Sequence, residues 1–311
     1  MGKSDLAERL AKRLEGEIVS ADSMQVYRGM DIGTAKPPPG KRVVPYHCLD
    51  LADPGTAFSA ALYQDAARTA IADIARRGKA PIVCGGTGLY VRAALDDWEF
   101  PGGQSASPER QALEREAESV GPSAMHARLA AVDPRAAALI HPANVRRTIR
   151  ALEMSARGDS YAAQAERFSV RHSVYDTTFI GLTMERESLY RRIDARVDAM
   201  ISAGLLAEVE SLLAAGLRDA LTAAQAIGYK ELVPVVESGA PLDTAVEDIK
   251  RATRRYAKRQ LTWFRGDPRI RWIDVTGLDA SEAALAAVGL LESDEPRTRV
   301  PAAGTWRLTA T

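Results

Sequence analysis

Short apolar segments alternate with amphipathic helical patterns in this chain, and this alternation restricts the core to a parallel α/β arrangement. Residues 17–20 and 81–84 have the length and apolar content of buried strands. Between them, apolar residues recur every fourth position from Leu62 to Ile74, which predicts a helix with one buried face. Strands that are joined through helices form parallel sheets with right-handed crossovers. The sequence therefore predicts a parallel sheet covered by helices.

The pattern changes after residue 100. Residues 101–158 contain helix starts and no strand candidate. Ser107 before Pro108 combines an N-cap with a proline in the first turn, Asp133 before Pro134 repeats the device, and Asn144 opens a third helix. Strand patterns return only later in the chain. We predict an α/β core of residues 1–101 and 170–292, a helical insertion domain of residues 102–169, and a disordered tail of residues 293–311.

Charge and cysteine content exclude several classes of protein. The 41 Lys and Arg residues are balanced by 41 Asp and Glu residues, so any nucleic-acid surface must be local. Cys48 and Cys84 are far apart and lack metal-ligand spacing, which indicates reduced thiols. No apolar run approaches the roughly 20 residues of a membrane span, and no signal peptide is recognisable. We expect a cytoplasmic protein with no membrane association.

The tripeptide Gly2-Lys3-Ser4 opens the first helical pattern. It matches the second half of the phosphate-binding loop G-x-x-x-x-G-K-[ST], in which backbone amides and Lys hold phosphates and the hydroxyl holds Mg²⁺. The first half of the loop and its strand would precede Met1. A chance tripeptide is the alternative interpretation.

Polar residues follow both predicted strands. Asp22 follows the first strand, and the loop Gly85-Gly86-Thr87-Gly88 follows the second. Ligands of open α/β sheets bind at the carboxyl ends of the strands, so Asp22 is a candidate base or metal ligand and Thr87 a candidate hydrogen-bonding group. The alternatives are a turn-forming Asp and glycines that only make a tight strand exit.

Two segments concentrate positive charge. Arg146, Arg147 and Arg150 lie on one predicted helix, and residues 250–265 contain seven basic residues without an acidic one. A solvated helix face is the usual explanation of such a run. Like charges repel unless a polyanion binds them, so the run from 250 to 265 favours phosphate or nucleic-acid binding.

Five stretches in order resemble one family. The longest is 20–37, Ser-Ala-Asp-Ser-Met-Gln-Val-Tyr-Arg-Gly-Met-Asp-Ile-Gly-Thr-Ala-Lys-Pro, which is similar to the signature of the tRNA dimethylallyltransferases, also called tRNA isopentenyltransferases. The others are Gly-Gly-Thr-Gly-Leu-Tyr at 85–90, Arg-Thr-Ile-Arg-Ala-Leu-Glu at 147–153, Ala-Ile-Gly-Tyr-Lys-Glu-Leu at 226–232 and Thr-Arg-Arg-Tyr-Ala-Lys-Arg-Gln-Leu-Thr-Trp-Phe-Arg at 253–265.

The resemblance implies a P-loop NTPase-like parallel sheet core with a small all-helical insertion domain that binds tRNA. The enzyme would transfer a dimethylallyl group from dimethylallyl diphosphate to N6 of the adenosine immediately 3′ of the anticodon, with Mg²⁺. Its partners would be the tRNA anticodon stem-loop and the diphosphate, and we expect a monomer. The P-loop would hold the diphosphate instead of ATP.

The resemblance also assigns roles to residues of this chain. Asp22 matches the general base, Thr87 a base-contacting threonine, and Arg196 the arginine that faces the diphosphate. The diphosphate loop would be completed by Gly2, Lys3, Ser4 and Arg192, with Ser4 holding Mg²⁺. The tRNA contacts would come from Asp22, Ser23, Met24, Gln25, Thr87, Arg110, Arg146, Arg147, Arg150, Arg254 and Lys258.

One departure from the family concerns the beginning of the chain. Family members have a strand and Gly-Pro-Thr-x-x before Gly-Lys-[ST], and we expect a start codon assigned too far downstream in preference to a functioning truncation. Three alternatives stay open: an impaired form that only binds tRNA, a prenyltransferase for free adenine nucleotides, and a small-molecule kinase. The kinase explains Gly2-Lys3-Ser4 but not Asp22 with the Gly-Gly-Thr loop.

Overall fold

The first part of the chain builds strands that alternate with helices. A computed structural model describes residues 2–100, 107–220 and 222–293. The helices of this part form where the apolar residues recur at helical spacing. In order, the elements are helix α1 (Lys3–Arg13), strand β1 (Glu17–Ala21), strand β2 (Tyr46–His47), helix α2 (Ala60–Arg76), strand β3 (Pro81–Gly85) and helix α3 (Gly88–Leu95).

Four helices follow: α4 (Pro108–Val132), α5 (Pro134–Leu139), α6 (Val145–Ala156) and α7 (Tyr161–Ser169). The predicted caps are confirmed, because the side chains of Ser107, Asp133 and Asn144 accept backbone N–H groups at 3.2, 2.9 and 3.3 Å. α4 is interrupted at Gly121, which has a φ of 80° and precedes Pro122. Each helix start is thus set by a local side-chain cap.

The chain then returns to strands and longer helices. These are β4 (Phe179–Thr183), α8 (Arg186–Ser202), α9 (Leu205–Ala214), α10 (Tyr229–Ser238), α11 (Leu242–Arg265), β5 (Ile270–Asp274) and α12 (Ala280–Glu292). Single 3₁₀ turns occur at Pro39–Lys41, Leu217–Asp219 and Ala223–Gln225. Among the described residues, no helix has the length and apolar content to cross a membrane.

All strand pairings in the two sheets are parallel, as the sequence predicts. β1 lies between β2 and β3, and β4 pairs with β5. Every residue of β1 is buried, since helices and neighbouring strands cover it. The register places Ala21 opposite Gly85, so the two strands end side by side. The residues that follow them are therefore neighbours at one sheet edge.

The chain divides into two compact units. One contains the described residues of 2–96 and 173–293, and the other contains the described residues of 97–172. The boundaries predicted at 102 and 169 fall inside the second unit. Residues 97–100 and 170–172 belong to this helical unit as well: the Asp97 amide donates to the His172 carbonyl at 3.0 Å, and Trp98 stacks on Phe168 with ring centroids 4.1 Å apart. Residues 294–311 of the predicted tail lie outside the described residues.

Each unit has its own apolar core. In the α/β unit, Leu6 and Leu10 of α1 pack with Leu182 of β4 and Ile193 of α8. In the helical unit, a separate cluster from α4, α5 and α6 is centred on Met125, Leu129, Ile149 and Leu152. Burial of such side chains stabilises a fold by about 1.5–3 kcal/mol each before the entropy cost is subtracted.

A buried carboxylate anchors β1. The Glu17 side chain is only 2% exposed and accepts hydrogen bonds from Arg77 Nη2 at 2.7 Å and Lys79 Nζ at 2.8 Å. His47 Nε2 lies 2.7 Å from Glu17 Oε2. The Arg77 guanidinium, with Lys79 and His47, holds the pKa of Glu17 well below its usual range in spite of burial. The ion pairs thus tie β1 to β2 and to the end of α2.

Glu17→Gln should lower the free energy of unfolding at neutral pH by about 1–3 kcal/mol, because Lys79 loses its charged partner and Arg77 keeps only Asp73. A carboxylate with a depressed folded pKa stabilises the protein above its unfolded pKa of about 4.3, and this contribution is lost as pH falls toward the folded pKa. Urea unfolding of both proteins between pH 7 and pH 3 measures the difference, which should shrink in acid. Glu210→Gln, an exposed change on α9, is the control; an equal effect of both substitutions would contradict the prediction.

Candidate active site

The two loops predicted to carry function meet at the carboxyl ends of β1 and β3. The Thr87 amide donates to the Ala21 carbonyl at 3.1 Å, which continues the strand pairing by one step into the loop. Only glycine fits at position 85, because a Cβ atom there would lie 2.1 Å from the Ala21 carbonyl oxygen. The close approach of the two strand ends places Asp22 and Thr87 at one edge of the sheet.

The Thr87 hydroxyl joins the two loops directly. Thr87 Oγ1 accepts the Ser23 amide at 3.0 Å and donates to Ser23 Oγ at 3.2 Å. Thr87 is also the N-cap residue of α3, but its hydroxyl makes no capping bond. The side chain therefore contacts the Asp22 turn and does not simply start a helix.

Asp22 forms a tight turn that fixes its carboxylate. Asp22 Oδ1 accepts the Met24 amide at 2.9 Å and the Gln25 amide at 3.4 Å. The hydrogen bonds described for Asp22 all use Oδ1. Asp22 is half-buried, as are Ser23, Met24 and Gln25.

The glycine loop is also held by a distant helix, which the sequence analysis missed. Gln260 Nε2, on α11, donates to the Gly86 carbonyl at 2.9 Å. A Cβ atom on Gly88 would lie 2.1 Å from the Trp263 indole nitrogen, so the indole packs directly on the loop backbone. Both residues lie in the stretch 253–265, whose strongest sequence signal is its basic residues.

Two cations, Lys3 and Arg196, lie within electrostatic range of Asp22. Lys3 begins α1 and follows Gly2, which has a φ of 75°. The Lys3 carbonyl accepts a hydrogen bond from Cys84 Sγ at 3.6 Å. Burial lowers the pKa of Lys3, the charges of Cys84 and Asp22 raise it, and the charge of Arg196 lowers it. Lys3, Asp22 and Arg196 are therefore close enough to interact electrostatically.

The third of these residues, Arg196, comes from α8. Partial desolvation lowers the pKa of Arg196, and the charge of Asp22 acts in the opposite direction. Arg196 keeps contact with solvent, as does Arg192 one turn earlier on the same helix. Two cations beside one carboxylate leave a positive excess that favours an anionic ligand.

The Ser4 hydroxyl is the candidate protein ligand for Mg²⁺. Ser4 is exposed in the first turn of α1. Within residues 2–100, 107–220 and 222–293, no group of three His, Cys, Asp or Glu side chains is arranged to hold a metal ion. Mg²⁺ often binds through substrate phosphates and water with few protein ligands, and a lone hydroxyl in the first turn of a helix fits that mode.

The predicted tRNA-binding arginines of the helical unit differ in their surroundings. Arg146 and Arg147 are exposed on α6. Arg150 is half-buried and lies 4.0 Å from Glu153, and Arg110 pairs with Glu114 at 2.9 Å and Glu153 at 3.0 Å. Arg110 thus already has partners within its unit.

The basic run on α11 is partly neutralised, so the interpretation of unopposed charge is wrong for three of its members. Lys250 pairs with Asp198 at 2.9 Å, Arg251 with Asp248, and Arg254 with Asp194 at 2.8 Å. Two of these acids lie on α8, which packs against α11 but is remote in sequence. The four other basic residues of the run, Arg255, Lys258, Arg259 and Arg265, are exposed.

The parallel sheets, the Gly2-Lys3-Ser4 start of α1 and the strand-edge loops define an α/β protein of the P-loop-like class with an all-helical unit. A family model described as IPP transferase matches residues 25–267. The chain belongs to this family.

Relatives and solved structures agree with this assignment. The chain is 50% identical over 277 residues to a tRNA dimethylallyltransferase of Geobacillus thermodenitrificans, covering 89% of this chain and 88% of the relative. It is 47% identical to the tRNA dimethylallyltransferase of Bacillus subtilis over 89% of this chain and 88% of the relative.

Two solved structures share the fold over nearly the whole chain. A tRNA isopentenylpyrophosphate transferase from Bacillus halodurans has 44% identity and a TM-score of 0.67, covering 94% of this chain and 93% of that chain. A eukaryotic dimethylallyltransferase acting on tRNA has 31% identity and a TM-score of 0.77, covering 96% of this chain and 78% of that chain.

Thr87→Val should accelerate hydrogen exchange of the Ser23 amide about fivefold, because that amide loses an acceptor worth about 1 kcal/mol. Thr87→Ser retains the hydroxyl and should leave the exchange rate unchanged. Amide exchange followed by NMR measures both variants. Equal rates in Thr87→Val and the unmodified protein would contradict the bridging role of the hydroxyl.

Proposed function

We propose that this protein transfers a dimethylallyl group from dimethylallyl diphosphate to N6 of the adenosine immediately 3′ of the anticodon in tRNA. The observation that carries this proposal is the meeting of the Asp22 turn and the Thr87 loop at the carboxyl ends of two parallel strands, with Lys3 and Arg196 within electrostatic range of Asp22. The carboxylate suits a proton acceptor, and the cations suit a diphosphate leaving group. The relatives named tRNA dimethylallyltransferase support the same reaction.

Asp22 acts on the acceptor base. The exocyclic amine of adenine is a poor nucleophile, and it gains reactivity when a carboxylate takes its proton as the N6–carbon bond forms. The Met24 amide holds Asp22 Oδ1 at 2.9 Å, so the carboxylate is oriented before substrate binds. The Thr87 hydroxyl and the loop of Ser23 define the neighbouring wall that would contact the base.

Lys3, Arg196 and the start of α1 act on the leaving group. As the carbon–oxygen bond of the allylic diphosphate breaks, negative charge grows on the diphosphate oxygens. A helix N-terminus and two cations stabilise that charge, and they do so most in the transition state. Gly2 begins the helix in a left-handed conformation, and Arg192 supplies further positive charge nearby on α8.

Mg²⁺ bound to the diphosphate would supply further stabilisation of the leaving group, with Ser4 as its protein ligand. Lys3, from the same turn of α1, would bind the diphosphate oxygens. We propose this assignment from the chemistry of the Ser4 hydroxyl and from the preference of Mg²⁺ for phosphate oxygens.

The tRNA would be held through its phosphates. The exposed Arg146 and Arg147 of α6 and Lys258 of α11 are suited to phosphate contacts. Arg110, Arg150 and Arg254 have acidic neighbours, and they would join the tRNA contact only by sharing or exchanging those partners. A base in a stacked anticodon loop must be splayed out to reach Asp22. Action as a monomer in the cytoplasm stays a prediction from the sequence.

The reaction can be tested with unmodified tRNA and labelled dimethylallyl diphosphate. The chain of 311 residues and a form extended by the upstream codons of its reading frame should be assayed side by side, with free adenosine monophosphate as competing acceptor. We expect label in tRNA at the adenosine 3′ of the anticodon. Label in the free nucleotide alone, or in neither acceptor with both forms, would refute the proposal.

Asp22→Ala should lower the rate of transfer by about a hundredfold or more and leave tRNA affinity nearly unchanged, because it removes the proton acceptor without removing a phosphate contact. Single-turnover transfer and tRNA binding measure the two effects. Asp65→Ala, an exposed change on α2, is the control. Loss of tRNA binding in Asp22→Ala would show that Asp22 is structural.

A further inference from the structure

Glu208, on α9, has a carboxylate saturated with hydrogen bonds from a distant loop. Glu208 Oε2 accepts the amides of Asp31 at 3.1 Å and Ile32 at 2.8 Å. Glu208 Oε1 accepts the Gly33 amide at 3.2 Å and the Tyr229 hydroxyl at 2.6 Å. Three consecutive amides that point at one carboxylate form an anion-binding nest, here filled by a side chain of the same protein.

Tyr229 closes this contact from α10. Its side chain is completely buried, and a Cβ atom on Gly33 would lie 2.5 Å from its ring. Burial and the charge of Glu208 raise the pKa of the Tyr229 hydroxyl, so it remains a donor at every ordinary pH. Glu208 and Tyr229 together fix the loop of residues 31–33 against α9 and α10.

The fixed loop is connected to Asp22 through Gln25. Gln25 Nε2 donates to the Thr34 carbonyl at 3.1 Å, and Gln25 Oε1 accepts from Ser20 Oγ at 2.8 Å. The backbone amide of Gln25 in turn donates to Asp22 Oδ1 at 3.4 Å. The Gln25 side chain is thus occupied within the protein.

We infer that Glu208 is a positioning residue for the transfer reaction: it fixes loop 31–33, and through Thr34 and Gln25 it maintains the turn that orients Asp22. The inference rests on the proposed function. Glu208 itself does not touch the reacting atoms in this scheme, so its effect falls on the rate and not on the binding of the diphosphate. A displacement of about 1 Å at a reacting group lowers rates by up to about a hundredfold.

Glu208→Gln tests the positioning role most directly. The amide retains the size of the side chain, but it places two donors against three backbone N–H groups and the Tyr229 hydroxyl. We expect kcat to fall about tenfold to a hundredfold, with KM for dimethylallyl diphosphate within about twofold of the unmodified value. The matched control is Glu210→Gln, an exposed change two positions further on the same helix.

Restoration by a small carboxylate distinguishes positioning from a general loss of stability. A shallow, solvent-open cavity of about 480 Å³ lies at Glu208 and is also lined by Gly29, Ile32, Gly204 and Ala207, among others. In Glu208→Ala, formate should enter this cavity, bind the vacated amides and raise kcat at least about threefold. Sodium chloride at the same ionic strength controls for the effect of salt on tRNA binding.

A double-mutant cycle tests the connection through Gln25. If Glu208 acts by way of Gln25, Glu208→Gln combined with Gln25→Leu should be no slower than the slower single variant, within about twofold. Additive losses would overturn the proposed connection. If Glu208→Gln does not fold, Tyr229→Phe takes its place in the cycle. This variant removes one of the donors to the Glu208 carboxylate.

The outcomes separate this inference from the proposed function. No transfer by the unmodified protein refutes the proposed function. Transfer at equal rates by Glu208→Gln and the unmodified protein overturns the positioning role alone. A loss that formate does not reverse, together with a matching loss of thermal stability, would assign Glu208 to folding and likewise overturn it.

Discussion

The parallel pairing of β1 with β3 is the constraint on which the site depends. Ala21 stands opposite Gly85, and the Thr87 amide extends the pairing to the Ala21 carbonyl. Because parallel strands end at the same edge, the register decides which loop residues meet. A shift of one residue would reverse the facing of every side chain and separate the Thr87 hydroxyl from Ser23. The buried Glu17 at the other end of β1 helps to fix that register through Arg77 and Lys79.

Tertiary packing brings the charged side chains together at the strand edge. Lys3 comes from α1 and Arg196 from α8, and both interact with the charge of Asp22. On the opposite face of α8, Asp194 and Asp198 neutralise Arg254 and Lys250 of α11. α8 thus contributes Arg196 to the candidate site and two carboxylates to the ion pairs that join it to α11. The positive potential at the site is therefore local, in a chain with no net charge.

A second layer of contacts holds the loops that carry the candidate catalytic groups. Gln260 holds the glycine loop by its Gly86 carbonyl, and Glu208 holds loop 31–33 by its amides. Rigid supports of this kind keep reacting groups within a fraction of an ångström of their working positions. Long helices such as α11 can serve as such supports because their own geometry is set by many internal hydrogen bonds.

The sequence by itself determined the parallel α/β core, the helix caps at Ser107, Asp133 and Asn144, and the adjacency of Asp22 and Thr87. Those features depend on local signals, namely periodicity, capping side chains and the direction of parallel strands. Only the tertiary structure decided which basic residues are paired and which side chains support the site. Glu208 and Ile32 are 176 positions apart, and Gln260 and Gly86 are 174 apart. Contacts at such separations leave no periodic trace in the chain, because they depend on how packed helices bring remote residues together.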